Sequence, residues 1–249
     1  LQFPARFDAE VIQQLRTQAD YQDEDLITSV KSSTVVASGL VKGMISLDGL
    51  NAPMQETVSE LLADMEDAEA AARAERLSFR PKAIYVCNTN ILAEDAAQTD
   101  DPKQPFEQRQ APPILIWRYL TEQCGVPADE VAVYADLKTD RDFPLPPDFV
   151  LFTGGESDYD DFVAGDYRHI IFNKTLQEGW DDPSVYFAYV DKTMESSIQI
   201  TQIVGRVLRQ PGATHYESDR LNTAHFYVRV DRNDTFAQVV EDVRKGLRG

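Results

Sequence analysis

From Arg80 onward, short runs of β-branched and aromatic residues alternate with stretches whose apolar positions recur every three or four residues. Ala83–Cys87, Val131–Tyr134, Phe149–Phe152, His169–Phe172, Val185–Val190 and His225–Val228 read as strands that are apolar at nearly every position. Between them the pattern predicts helices from about Asn90, over Ile114–Gln123 with Pro113 at its start and Gly125 at its end, around Tyr159–Val163, over Gln199–Arg209, and over Phe236–Leu247. Strands without a polar face need cover on both sides, so the pattern predicts an α/β fold with a parallel sheet and helices on both faces. Two polar or proline-rich stretches, residues 100–113 and 136–148, interrupt the rhythm and read as surface loops.

The first eighty residues behave differently. Asp8–Ala19 reads as a helix, Thr34–Leu47 as a strand pair broken at Gly39 and Gly43, and Glu56–Leu77 as a long Ala/Glu/Arg-rich helix. Large apolar residues are too few there for an independent core, so residues 1–80 are expected to be a mostly helical connector or appendage and residues 81–249 the main domain.

Composition narrows the class. The chain has 249 residues, 43% of them apolar, enough for one large domain with an appendage. It contains no apolar run of 18 or more residues, and a cytoplasmic protein away from the membrane is expected. Cys87 and Cys124 lack CxxC spacing, so neither a disulfide framework nor a metal site is indicated. A formal charge of −18 argues against the broad basic surface that draws proteins to nucleic acid.

The chemistry concentrates in one helix. Gln199, Gln202, Arg206 and Arg209 lie 3, 4 and 3 residues apart and form a polar stripe, opposite Ile200, Ile203, Val204, Val207 and Leu208. Any surface helix shows such a division. Two guanidiniums one turn apart, however, are planar and permanently charged forks suited to a polyphosphate. Upstream, Phe172-Asn173-Lys174-Thr175-Leu176-Gln177-Glu178-Gly179-Trp180-Asp181-Asp182-Pro183 follows a strand, which predicts its placement at the carboxyl rim where open parallel sheets bind ligands. Gly179 would allow a tight turn, and Asp181 could hold a ribose hydroxyl or orient an arginine. His169 and His225 read as structural, and the Asp158, Asp160, Asp161 cluster as a solvated helix start.

Together these elements resemble the fifth and sixth conserved motifs of superfamily-two helicases and translocases. The Glu178-Gly179-Trp180-Asp181 form, with Gln202 opening the last motif, is most similar to the Res subunit of type III restriction enzymes. Tyr85–Asn90 sits where that family has its fourth motif, and Phe226–Val230 with its closing helix resembles the end of such a motor; the similarity spans roughly residues 80–249. The resemblance implies a second RecA-like motor domain. It makes Arg209 the arginine finger on the γ-phosphate and Arg206 its neighbour, with Gln202 orienting the helix or touching nucleotide. Gly179 and Asp181 would couple the nucleotide cleft to the nucleic-acid groove, and Asn88, Thr89, Thr153, Gly154 and Asn173 would lie near the nucleic-acid backbone. ATP and Mg²⁺ would be held mainly by a first RecA-like domain of the same parent protein. DNA rather than RNA is the expected polymer, with a modification subunit as a further candidate partner.

The departures bear equally on function. The sequence contains no GxxxxGK[ST] phosphate loop, no magnesium-binding acidic box and no nuclease signature. The chain is therefore expected to be a piece of a longer ATPase, carrying only the trans-acting half of the site and inactive alone. The competing readings are a non-catalytic scaffold that kept the fold as a protein-binding module, and a complete nucleotide-binding enzyme. The missing phosphate-cradling turn argues against the second.

Overall fold

The computed structural model describes residues 32–49, 52–87, 100–155, 158–173, 180–191, 197–229 and 234–248. In chain order they form α1 (Ser32–Ala37), β1 (Met44–Gly49), α2 (Met54–Ala74), β2 (Lys82–Cys87), α3 (Pro112–Arg118), β3 (Val131–Tyr134), β4 (Val150–Phe152), α4 (Asp158–Ala164), β5 (His169–Phe172), β6 (Val185–Asp191), α5 (Ser197–Leu208), β7 (Thr223–Val228) and α6 (Asp234–Arg248). The strands join one seven-stranded sheet in the order β1-β7-β6-β2-β5-β3-β4, and every pairing is parallel. This is an α/β fold of a kind consistent with a RecA-like domain. Among the described residues no helix is long and apolar enough to cross a membrane.

Each face of the sheet has its own core. On one face, Ile84, Ile170, Ala188 and Phe226 pack against Phe162 of α4, Ile200, Val204 and Val207 of α5, and Phe236 and Val240 of α6. On the other, Tyr85, Ile171, Phe187 and Tyr227 meet Val58, Leu61, Met65, Ala68 and Ala72 of α2 and Ile114 and Trp117 of α3. Alternate strand residues thus point to opposite helix layers, the physical reason for uninterrupted apolar runs.

Residues 34–47 depart from the expected strand pair. Thr34–Ala37 belong to a helix, and one strand follows, β1, which pairs with β7 at the sheet edge. β-branched residues favour strands locally, but Val35 and Val36 pack here against the core, and that burial outweighs propensity. β1 and α2 both belong to the seven-stranded layer structure, so a division at residue 80 would cut the sheet and uncover one face. The expected helices at 8–19 and from Asn90 lie outside the described residues.

The predicted loop at 100–113 is tied down. Asp100 and Arg109 are both buried; Arg109 Nε and Nη2 donate to the carboxylate at 2.6–3.0 Å, and the amides of Gln110 and Ala111 add bonds of 2.9 and 3.1 Å. His169 is buried, with Nδ1 2.9 Å from the Tyr85 hydroxyl, and buried His225 stacks on Phe187.

Candidate functional site

The α5 stripe forms as its spacing predicts: Ile200, Ile203, Val204, Val207 and Leu208 are buried, while Gln199, Gln202 and Arg209 are exposed. Trp180–Pro183 lead directly into β6, and all strands run the same way, so this segment lies at the amino edge of the sheet. Helix α5 runs back from the far end of β6 and delivers Arg206 and Arg209 to that same edge. The expectation of a carboxyl-rim site is thereby corrected. Asn173 ends β5 at the carboxyl rim, whereas Trp180 stands at the opposite edge, where the next parallel strand begins.

At the amino edge the two arginines are held differently. The Arg206 guanidinium lies 5.6 Å from the Trp180 ring centroid, and Nη1 donates to the Trp180 carbonyl at 2.8 Å. Stacking on an indole and a bond to its carbonyl fix the plane of the fork. Burial, then the charge of Arg209, lowers the Arg206 pKa below its usual value, with Asp181 opposing them only in part. Arg209 pairs with the Asp181 carboxylate, but the two side chains remain 51% and 42% exposed, so the pair is open to an incoming anion. An open cleft of about 350 Å³ adjoins them, lined by Tyr159, Tyr167, Trp180, Asp181 and Lys82, whose Nζ lies 3.0 Å from Asp182.

The backbone behind Arg209 is fixed by a short antiparallel bridge to Val41. The amide of Lys42 donates to Leu208 O at 2.7 Å and the amide of Gln210 to Leu40 O at 3.1 Å. Lys42 was invisible to motif reading, although it is the only charged residue between Lys31 and Asp48 in an otherwise apolar and small-residue stretch. A lone lysine in such surroundings is the signal that could have marked it.

No protein-family model matches this chain, and no curated protein does.

At the carboxyl rim, Thr153 and Gly154 follow β4 as expected, but their donors are engaged. The Asp158 carboxylate accepts from the amides of Thr153, Gly154 and Gly155 at 2.7, 3.1 and 3.3 Å and from the Thr153 hydroxyl at 3.2 Å. These bonds hold its carboxyl below the usual range. Three successive amides around one anion form a nest of the kind that also binds phosphate, so an external phosphate would have to displace Asp158. Asn173 sits nearby at the end of β5 and accepts from the Asp136 amide at 3.1 Å. The structure thus brings Arg206, Arg209 and Asp181 together at one edge, and Thr153, Gly154 and Asn173 at the other. Asn88, Thr89 and Gly179 lie outside the described residues. Among the described residues, no group of three or more His, Cys, Asp or Glu is arranged to hold a metal ion.

Proposed function

We propose that this chain is the C-terminal motor domain of an ATP-dependent DNA helicase or translocase, of the kind that type III restriction Res subunits resemble. The observation that carries the reading is the convergence of Arg206 and Arg209 on Trp180 and Asp181 at a half-open edge of the sheet. Arg206 is pre-set by its stacking, and Arg209 is held from behind by the bridge to Val41 while its fork stays accessible. A triphosphate gripped by a first motor domain would meet both forks. Arg209 would stabilise charge on the γ-phosphate, and Arg206 would fix its orientation. Phosphoryl transfer depends mainly on positioning and charge stabilisation, so such a residue contributes on the order of 10³–10⁵ in rate. That corresponds to roughly 4–7 kcal/mol at the transition state. Mg²⁺ and the phosphate loop would come from the first domain.

One observation favours a second reading, a scaffold without catalysis: the chain's own carboxylates, Asp181 and Asp158, fill both candidate anion positions. Both are solvent-accessible; the exposed Arg209–Asp181 ion pair contributes only about 0–1 kcal/mol, so a multivalent phosphate could displace Asp181 at small cost, whereas at Asp158 it would have to take over the amide and hydroxyl bonds. The deciding experiment is DNA-stimulated ATP hydrolysis by the intact parent protein with Arg209→Ala. The motor reading expects turnover to fall at least about 10³-fold with the fold unchanged. Near-normal turnover would leave the scaffold.

A further inference from the structure

We infer that Lys42 is a positioning residue that sets the reach of the Arg209 fork, an inference that rests on the motor reading above.

Lys42 has no exposed surface. Its Nζ faces a ring of carbonyl oxygens: Val207 at 2.8 Å, Val185 at 3.1 Å, Pro183 at 3.4 Å, and Arg209 closer still. The same ammonium lies 4.0 Å from the Tyr186 ring centroid. Two of those carbonyls belong to the last turn of α5 and its exit, where a helix has no internal partners left for its C=O groups. A cation there satisfies the oxygens and favours the negative end of the helix. The other two belong to the entry of β6, two and four residues after Asp181.

One ammonium therefore ties together the two backbones that carry the Arg209–Asp181 pair. The helix end supplies the guanidinium, and the strand entry supplies the carboxylate. Lys42 touches neither side chain. It sets how far apart their main chains stand, and the adjoining Val41 bridge fixes the twist of the Arg209 backbone. Burial pulls the Lys42 pKa well below its usual value and the Asp182 carboxylate opposes it, so the carbonyl oxygens around Nζ are what compensates a protonated amine withdrawn from water. Leucine or methionine would fill the space more cheaply but would remove the Nζ bonds to these oxygens. An arginine finger is sensitive to such a loss, because misplacement by about 1 Å can cost on the order of 10² in rate.

The test is a double-mutant cycle in the intact parent protein, with ATP turnover measured for wild type, Lys42→Met, Arg209→Ala and the double variant. Folding is checked by circular dichroism before each assay. Lys42→Met is expected to lower kcat by roughly 10- to 100-fold with KM within about twofold. It should add little to Arg209→Ala, because a residue acting through Arg209 has nothing left to position. Equal losses from Lys42→Met in both backgrounds, or unchanged kcat in the single variant, would overturn the inference while leaving the motor reading intact. If Lys42→Met fails to fold, Lys42→Gln, which keeps N–H donors without charge, takes its place in the cycle. A wild-type parent protein that hydrolyses no ATP would overturn the motor reading, and the positioning role would fall with it.

Discussion

Acid should weaken this fold well before its carboxylates titrate, through His169. The imidazole is buried in β5, and burial, followed by the charges of Arg168 and Arg80, lowers its pKa to about 3. Burial also pushes the Tyr85 hydroxyl far upward, so it remains protonated beside Nδ1, and the contact forms with a neutral ring in either tautomer. The folded protein holds a neutral ring, while the unfolded chain takes up a proton near pH 6.5. Stability from this group is therefore complete above pH 6.5 and lost as pH falls toward 3. At pH 5 the loss is about 2 kcal/mol, since each pH unit in that window is worth roughly 1.4 kcal/mol. Domains of this kind have about 5–15 kcal/mol in total, so the effect is measurable. His169→Asn keeps an acceptor in reach of Tyr85 but cannot titrate. Urea unfolding at pH 7.5 and pH 5.0 should show wild type losing about 2 kcal/mol more than the variant over that interval. The pKa of buried His225 is lowered as well, but that residue is common to both proteins and cancels. Identical pH slopes in the two proteins would refute the reasoning.

Two further substitutions test how the site's supports are built. Gly39 has φ +74°, and a Cβ there would lie 2.8 Å from Ala213 O and Thr214 Cα, backbone atoms with nowhere to go. Gly39→Ala should cost about 1–3 kcal/mol and lower the melting temperature by several degrees; an unchanged melting curve would contradict the close approach. Burial would raise the Asp100 carboxyl, but its bonds from Arg109, Gln110 and Ala111 outweigh this and hold it below the usual range. Its stabilisation is thus present at neutral pH and lost as pH falls through that depressed value. Asp100→Asn leaves Arg109 charged and buried, which should cost about 3–5 kcal/mol in denaturant unfolding and expose the 100–111 loop to protease. A loss under about 1 kcal/mol would mean that the pair is not the clasp of this loop.

The strands beyond Arg80 were legible because a parallel sheet covered on both faces leaves no polar alternation to confuse the pattern. The α5 stripe was legible for the complementary reason, a single buried face. β1 was not, because it is an edge strand with Met44 exposed and Ile45 buried, and the β-branched Thr34–Val36 before it are helical. The contribution of α2 was underestimated by counting large apolar residues. Ala68 and Ala72 are buried, and small side chains let that helix approach the sheet closely. The arginine pair and Asp181 could be picked out by residue type and spacing, but their edge of the sheet could not. A loop joining parallel strands has one end at each rim, and only coordinates say which part lies where. Lys42 and Asp158 act through oxygens and amides of the main chain, which leave no mark in the sequence of their partners.

On the motor reading, the acidity of the chain takes on a function. A net charge of −18 would repel both a triphosphate and a DNA backbone, yet both candidate contact points are built from donors already facing a carboxylate. Each binding event would then be an exchange, an internal carboxylate leaving as a phosphate arrives, rather than a charge meeting empty space. Such an exchange conserves most of the hydrogen bonds on both sides, so its net free energy is small even when each gross interaction is strong. Tight binding is not what a translocating motor needs, since it must let go of nucleotide and polymer in every cycle. Contacts through amides and hydroxyls also release few counterions, which implies weak salt dependence for the DNA step. The arginine edge is the exception, where two full charges act on one ligand, and it is there that the buried Lys42 holds the geometry.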